Sequence, residues 1–295
     1  MDLVTIVCER DMQDILLQAH SIDKFVSPCR HYVTIEDESL SVSEWESILS
    51  PHYKNHELIV TSVPRPKDLS FDAPFTLGWR RQQMLKLDTA SKVESDRALV
   101  LDAKNIFVRS TDLREWPFKN SNGRYVYSAD NPEHMAVKWL RFVEQKTGLK
   151  VPIRMPATLE APFACTVSKV REAVSHPLFN YLFMQEEGVI PAAEWHYYYC
   201  FLDDSELDEP NYIVCPAIDH LKVPKNVNYE SYIKEQIEFC NSINSPTHGL
   251  HRKVRKDMSP ESKLVYENWL TSIGLDSRIV KDYVYFEMTD STWGC

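Results

Sequence analysis

Two kinds of block alternate along the first third of the chain. Residues 2–9 (DLVTIVCE) form a β-branched apolar run, the pattern of a strand covered on both faces. Apolar residues then recur at helical spacing at Met12, Ile15, Leu16, Ala19 and Ile22. The alternation repeats. Residues 31–38 (HYVTIEDE) read as a strand with an acidic C-terminal end, 41–51 as a short helix stopped by Pro51, and 56–63 as a third strand. A long helix follows over GWRRQQMLKLDTASKV, and ALVLDAKNIFVR (98–109) reads as one strand interrupted by a single aspartate. Strands alternating with helices predict an α/β fold with an open, mostly parallel sheet. Ligands of such sheets bind beyond the carboxyl ends of the strands, which gathers Glu9, Arg10, Asp37 and Asp102 along one edge.

Later segments follow a looser rhythm. Asn131 caps and Pro132 begins a helix running to Gly148, and APFACTV (161–167) is a strand. Ser168 caps a helix reaching Pro177. AAEWHYYYCFL (192–202) suits an aromatic helix or strand, and NYIVCPAI (211–218) a short strand. Two helices close the pattern, over 230–243 and over 259–274, the latter between Ser259 and Gly274. No repeat, low-complexity segment or compositional break marks a linker, so one domain is expected.

On the long helix preceding ALVLDAKNIFVR, Arg80, Gln83, Met84 and Leu87 share one face. Two polar groups on an otherwise apolar face need partners, either a ligand or nearby backbone carbonyls.

Composition narrows the chemistry. At 295 residues and 43% hydrophobic content, a chain folds without disulfide or metal staples. None of the seven cysteines forms a C-x-x-C pair, no basic leader precedes the first strand, and no apolar run reaches the roughly 18 residues of a membrane span. These features predict a cytoplasmic protein with reduced thiols. A net charge of −10 argues against general affinity for nucleic-acid backbone, and the one dense basic cluster, HRKVRK (251–256), reads as solvated surface. Only seven glycines occur and no G-x-G, which excludes a P-loop and a dinucleotide fingerprint. Phosphate would then be held by side chains, a metal or helix N-termini.

The segment GWRRQQMLKLDTASKVESDRALVLDAKNIFVRSTDLREW (78–116) resembles the central part of glycosyltransferases with the GT-A fold. There a helix bearing a basic residue precedes a strand ending in D-x-D, and a D-L-x-x-L-like turn follows. AAEWHYYYCFL is similar to the family's S-E-x-x-x-Y segment, GLHRKV to its terminal H-R, and the layout to a glycosyltransferase-like group of bacteria and phages. The resemblance implies a GT-A-like open sheet flanked by helices, with a C-terminal helical elaboration. It implies one domain over 1–295, with a nucleotide-sugar-binding half at 1–115 and an acceptor-binding half at 116–295. The implied activity is hexosyl or pentosyl transfer from a nucleotide sugar to an acceptor hydroxyl, on a surface glycan or a modified base in phage DNA.

The same resemblance assigns roles. Glu9, Arg10 and Asp37 would lie near the nucleoside, Arg80 and Gln83 near the sugar, and His251 with Arg252 over the phosphates. Glu194 would be the catalytic base facing the acceptor hydroxyl. GT-A enzymes usually hold manganese or magnesium on the D-x-D carboxylates and a late histidine, here Asp102 and His251. Asp102-Ala103-Lys104 departs from that motif, because Lys104 replaces the second carboxylate. A lysine there repels a divalent ion and can itself act as a point charge on a diphosphate. His248 and His251 are spaced H-x-x-H, which without further ligands is a weak zinc signal. Two rivals stand beside the transferase: a non-catalytic relic that binds a nucleotide or sugar, and a nucleotidyltransferase, which needs more carboxylates than Asp102.

Overall fold

The computed structural model describes residues 1–36, 40–64, 77–115, 125–127, 135–150, 154–156, 161–184, 192–202, 217–218 and 228–286. Its elements in chain order are β1 (Asp2–Val7), α1 (Met12–Phe25), β2 (Arg30–Ile35), α2 (Val42–Leu49), β3 (Glu57–Ser62), α3 (Leu77–Ser91), β4 (Arg97–Asp102), β5 (Asn105–Phe107), β6 (Tyr125–Tyr127), α4 (Met135–Thr147), β7 (Arg154–Pro156), β8 (Phe163–Thr166), α5 (Val167–Val174), α6 (Phe179–Met184), α7 (Glu194–Tyr199), β9 (Ala217–Ile218), α8 (Tyr229–Ser242), β10 (Thr247–Leu250), α9 (Arg252–Asp257), α10 (Pro260–Ser272) and α11 (Ser277–Tyr285).

The central sheet has the order β3-β2-β1-β4-β8. Its first four strands pair in parallel and β8 runs antiparallel to β4. The expected open, mostly parallel sheet flanked by helices is therefore present. All six residues of β1 are buried, and they alternate between the two faces of the sheet. Val4 and Ile6 pack with Leu85, Leu87 and Ala90 of α3, whereas Leu3 shares a core with Ile22 and Val7 one with Ile15, both of α1. From β1 the chain steps outward through β2 and β3, then returns by α3 to place β4 on the other side of β1. The carboxyl ends of β1 and β4 thus form the topological switch point of the sheet.

Beyond the sheet, α8, α10 and α11 enclose a separate core that includes Ile233, Leu250, Val254, Tyr266, Leu270 and Val280. This is the expected C-terminal helical region. Ser259 caps α10, accepting from Ser262 N, and Gly274 follows it at φ +90. Gly148 after α4 likewise has φ +72, a conformation that costs glycine least. Among the described residues no helix is long and apolar enough to cross a membrane.

Several boundaries differ from the sequence pattern. The run at 98–109 is not one strand: β4 stops at Asp102, and β5 leaves for a second sheet of order β5-β10-β9. Side-chain hydrogen bonds at the break, described below, take the place of ladder bonds. Helix α5 starts at Val167 with Thr166 in the cap position, two residues earlier than Ser168 suggested. The 192–202 segment resolves as helix α7, with all six helical residues buried. HRKVRK is only partly solvated, because α9 turns Val254 and Arg255 into the interior while Lys256 stays exposed. Asn131 and Pro132, and residues 211–216 of the expected strand, lie outside the described residues.

Candidate active site at the switch point

A cavity of about 130 Å³ opens at the carboxyl ends of β1 and β4. Arg10, Asp11 and Asp14 reach it from the β1–α1 connection and the first turn of α1. Asp102, Ala103 and Lys104 come from the turn after β4, Gln82 from α3, and His251 and Arg252 from the start of α9. Residues from both halves of the sequence therefore line one space.

The turn after β4 is held from behind by a buried polar chain. Asn105 Oδ1 accepts from Asp102 N at 2.7 Å, closing the turn on itself. Gln18 Nε2, from α1, donates to Asp102 O at 2.8 Å and Asn105 O at 2.6 Å. Gln18 Oε1 accepts from Thr5 Oγ1 at 2.8 Å, and Thr5 Oγ1 lies 2.8 Å from His31 Nε2. Since the threonine hydroxyl is already donating, His31 Nε2–H donates to it, and His31 Nδ1 accepts from the Tyr53 hydroxyl at 2.6 Å. Burial pushes the His31 imidazole down to about 3, so it serves as a neutral link.

A second buried cluster stands beside Asp102. Lys86 Nζ, from α3, lies 2.9 Å from Asp102 Oδ1 and 3.1 Å from Glu194 Oε1. The Gln83 side-chain amide, one turn earlier on α3, donates to the Glu194 carboxylate. Lys104 Nζ meets the other oxygen of Asp102, Oδ2, at 3.3 Å. Burial pushes the Asp102 carboxyl up, but the two ammoniums outweigh it and hold it well below the usual carboxylate range. Burial also opposes the charge on Lys86, and the two carboxylates outweigh it, so its ammonium is held above the ordinary lysine value. Glu194 moves the other way. Burial raises its carboxyl, and Lys86 offsets that only in part, because the Glu194 side chain is 6% exposed against 24% for Asp102 and among the described residues no second ammonium pairs with it.

Two further ion pairs set the opposite wall. Arg252 Nη1 contacts Asp11 Oδ1 at 2.9 Å. Arg255 donates to both oxygens of Asp14 at 3.3 Å, and its guanidinium lies 4.1 Å from the Tyr283 ring centroid. Burial raises the Asp14 carboxyl, with Arg255 opposing. His251 is the cap of α9, its Nδ1 accepting from Lys253 N at 3.2 Å.

The GT-A resemblance implies a divalent metal, and the donor set does not fit one. Both oxygens of Asp102 are engaged by ammoniums, Asp11 and Asp14 face arginines, and His251 Nδ1 is used by the helix cap. Among the described residues no group of three or more His, Cys, Asp and Glu side chains is placed to hold a metal ion. Hard divalent ions need several oxygen ligands at once.

Of the residues singled out from the sequence, Arg10, Asp102, Lys104, His251 and Arg252 share the cavity wall. Gln83 and Glu194 meet each other behind it and do not line it. Arg80 is buried, 4% exposed, and burial lowers its guanidinium from the ordinary value, but it too is off the wall. Glu9 is exposed in the short turn before α1 and also does not line the cavity, while Asp37 lies outside the described residues. His248 is 0% exposed between Tyr266 and Trp269, away from the cavity, so the H-x-x-H spacing brings no ligand pair together. Sequence reasoning missed Lys86, Asp14 and Gln18. Lys86 follows Gln83 by three residues on the same helix face, and that spacing was the available signal.

Against known structures the chain shows weak likeness. Mouse xyloside xylosyltransferase 1 aligns at TM-score 0.38 and 8% identity, over 74% of this chain and 87% of that one. The galactosyltransferase LgtC, in complex with donor and acceptor sugar analogs, aligns at TM-score 0.38 and 15% identity, over 67% and 69%. Glycosyltransferase GlyE of Streptococcus pneumoniae aligns at 0.43 and 12%, over 96% and 62%. None of the three reaches a TM-score of 0.5, and the functional reading below rests on the site's own residues. No curated protein matches the chain in sequence. One family model, described as a family of unknown function, DUF6492, matches residues 7–243. That match runs from the last residue of β1 to just past α8 and includes Arg10, Lys86, Asp102, Lys104 and Glu194, so the chain belongs to the DUF6492 family.

Proposed function

We propose that this protein is a glycosyltransferase that moves a sugar from a nucleotide-sugar donor to an acceptor hydroxyl. The observation that carries the reading is the cavity at the β1–β4 switch point, with Arg10, Lys104 and Arg252 on its wall beside the Asp102 carboxylate. Glycosyl transfer requires charge growing on a leaving diphosphate to be stabilised, and preorganised cations in a partly buried site do this well. Arg10 and Arg252 suit bidentate contacts to phosphate oxygens and Lys104 a point charge. Asp102, partly exposed and kept ionised by its two lysines, is suited to accept hydrogen bonds from donor-sugar hydroxyls.

Glu194 takes a different part in this reading from that of a base. Its carboxylate meets Lys86 and Gln83 and does not line the cavity, so it acts as a positioning residue, holding Lys86 against Asp102 on the cavity wall. The acceptor is a saccharide hydroxyl. A DNA acceptor finds no support in HRKVRK, whose Arg255 is spent on the buried pair with Asp14, nor in a net charge of −10. The nucleotidyltransferase alternative is disfavoured because the carboxylates near Asp102, Asp11 and Asp14, are engaged by Arg252 and Arg255, and among the described residues no group of three or more His, Cys, Asp and Glu side chains is placed to hold a metal ion.

Incubation with a panel of uridine, guanosine, cytidine, adenosine and thymidine diphosphate sugars tests the reading. Release of the matching nucleoside diphosphate is expected with one donor, rising when a saccharide acceptor is supplied and lost in Asp102→Asn. Binding of a donor with no turnover under any acceptor would leave only the non-catalytic relic. No binding and no turnover across the panel would remove the transferase reading altogether.

A further inference from the structure

Resting on that reading, we infer that Lys104 stands where a GT-A site would hold a divalent ion, so that side-chain cations alone bind the donor's diphosphate. The argument begins with occupancy. Asp102, the one carboxylate the motif retains, has Oδ1 on Lys86 at 2.9 Å and Oδ2 on Lys104 at 3.3 Å. A metal ion would have to displace both ammoniums, one of them on a lysine side chain that is 5% exposed and also tied to Glu194.

Charge balance points the same way. Arg10, Lys104 and Arg252 face Asp11, Asp14 and Asp102 on the wall, three cations against three carboxylates. Behind them Lys86 backs Asp102 and Arg255 backs Asp14. With Glu194, which Lys86 also meets, counted in, the wall and its backing carry five cations against four carboxylates, a formal surplus of one positive charge before any ligand binds. Lys104 faces the cavity with a partly exposed side chain, as Arg252 does. It sits in the turn two residues after Asp102, its side chain is 23% exposed, and it lines the cavity. An ammonium also brings three donors on a flexible stem, which suits oxygens of a diphosphate without fixed coordination geometry.

The test is calorimetric titration of the full-length chain with UDP, GDP, CDP, ADP and dTDP, each in excess EDTA and then in excess manganese. One diphosphate is expected to bind in EDTA, with an affinity that manganese changes by less than about twofold. Lys104→Met should weaken that binding by about tenfold or more, while Lys104→Arg, which keeps the charge, should retain EDTA-resistant binding. Lys104→Asp restores a D-x-D motif and should bind poorly in EDTA but recover in manganese. Thermal melts of each variant separate loss of binding from loss of fold. Wild-type binding that appears only with manganese overturns the inference and leaves the transferase reading standing. Wild-type affinity retained in Lys104→Met overturns the role of Lys104. Absence of binding in both conditions overturns the transferase reading itself, and the inference with it.

Discussion

Replacing Lys86 by methionine removes a buried cation from between two carboxylates while keeping most of the side-chain volume. Lys86 and Glu194 are 5% and 6% exposed, and the ammonium is 2.9 Å and 3.1 Å from its partners. Removing one member of such a pair costs about 3–5 kcal/mol, because an unpaired charge stays buried. Asp102 keeps Lys104, so most of the penalty falls on Glu194, which retains the Gln83 amide. In the wild type, Lys86 has a raised pKa, so its contribution is complete below the ordinary lysine value and fades as pH rises beyond it. Asp102 has a lowered pKa, so its contribution is complete above the ordinary carboxylate value and fades in acid. The Lys86–Asp102 pair is therefore fully stabilising from about pH 4 to about pH 10, whereas the raised Glu194 carboxyl costs stability as pH rises above the ordinary glutamate value. In Lys86→Met the Glu194 carboxyl, already raised by burial, rises further, and protonation relieves its cost as pH falls. Urea unfolding followed by circular dichroism should show a loss of about 3–5 kcal/mol near pH 8 that shrinks toward pH 5. The corresponding fall in Tm is roughly 6–15 °C. Adding Glu194→Gln should restore about 1–2 kcal/mol near pH 8. A loss below about 1 kcal/mol, or one unchanged between those pH values, would refute the picture of a buried charge bridge.

Other perturbations probe the scaffold of the site. Gln18→Leu deprives the carbonyls of Asp102 and Asn105 of their donor and Thr5 of its acceptor, and should cost about 3 kcal/mol or more in urea unfolding. The same change should speed hydrogen exchange at the Asp102 amide; unchanged exchange there would count against the turn being held from α1. Arg255→Met orphans the buried Asp14 carboxylate and should lower stability by about 3–5 kcal/mol in the same assay. His248 is fully buried, neither ring nitrogen meets a polar partner among the described residues, and burial pushes its pKa down to about 3. A lowered histidine pKa contributes stability above the unfolded value, near 6.5, that is lost as pH falls toward 3. His248→Phe should therefore spare about 2 kcal/mol of the stability the wild type loses between pH 7.5 and pH 5. Equal acid sensitivity in both proteins would contradict that assignment.

Period and composition by themselves determined the sheet's kind and the edge to inspect. The β-branched runs of β1 and β2, the 3.6-residue spacing of α1, and the termination of α4 and α10 at Gly148 and Gly274 are local consequences of side-chain shape and backbone freedom, and all are present in the structure. Asp102, Lys104 and Arg10 were legible for the same reason, since a strand end is a local feature. Tertiary structure alone decided which charges meet. Lys86 joins Asp102 from sixteen residues away and Glu194 from one hundred and eight, and Arg255 joins Asp14 across most of the chain. Helix α3 hid its role because it is buried on nearly every side, so Arg80, Arg81, Gln83 and Lys86 broke the apolar periodicity that marks an inward face. HRKVRK misled for the converse reason. A run of like charges reads as solvated until a buried carboxylate elsewhere in the fold supplies the partner. Pairing energies depend on distance in space, and no local pattern encodes the distance between residues that only packing brings together.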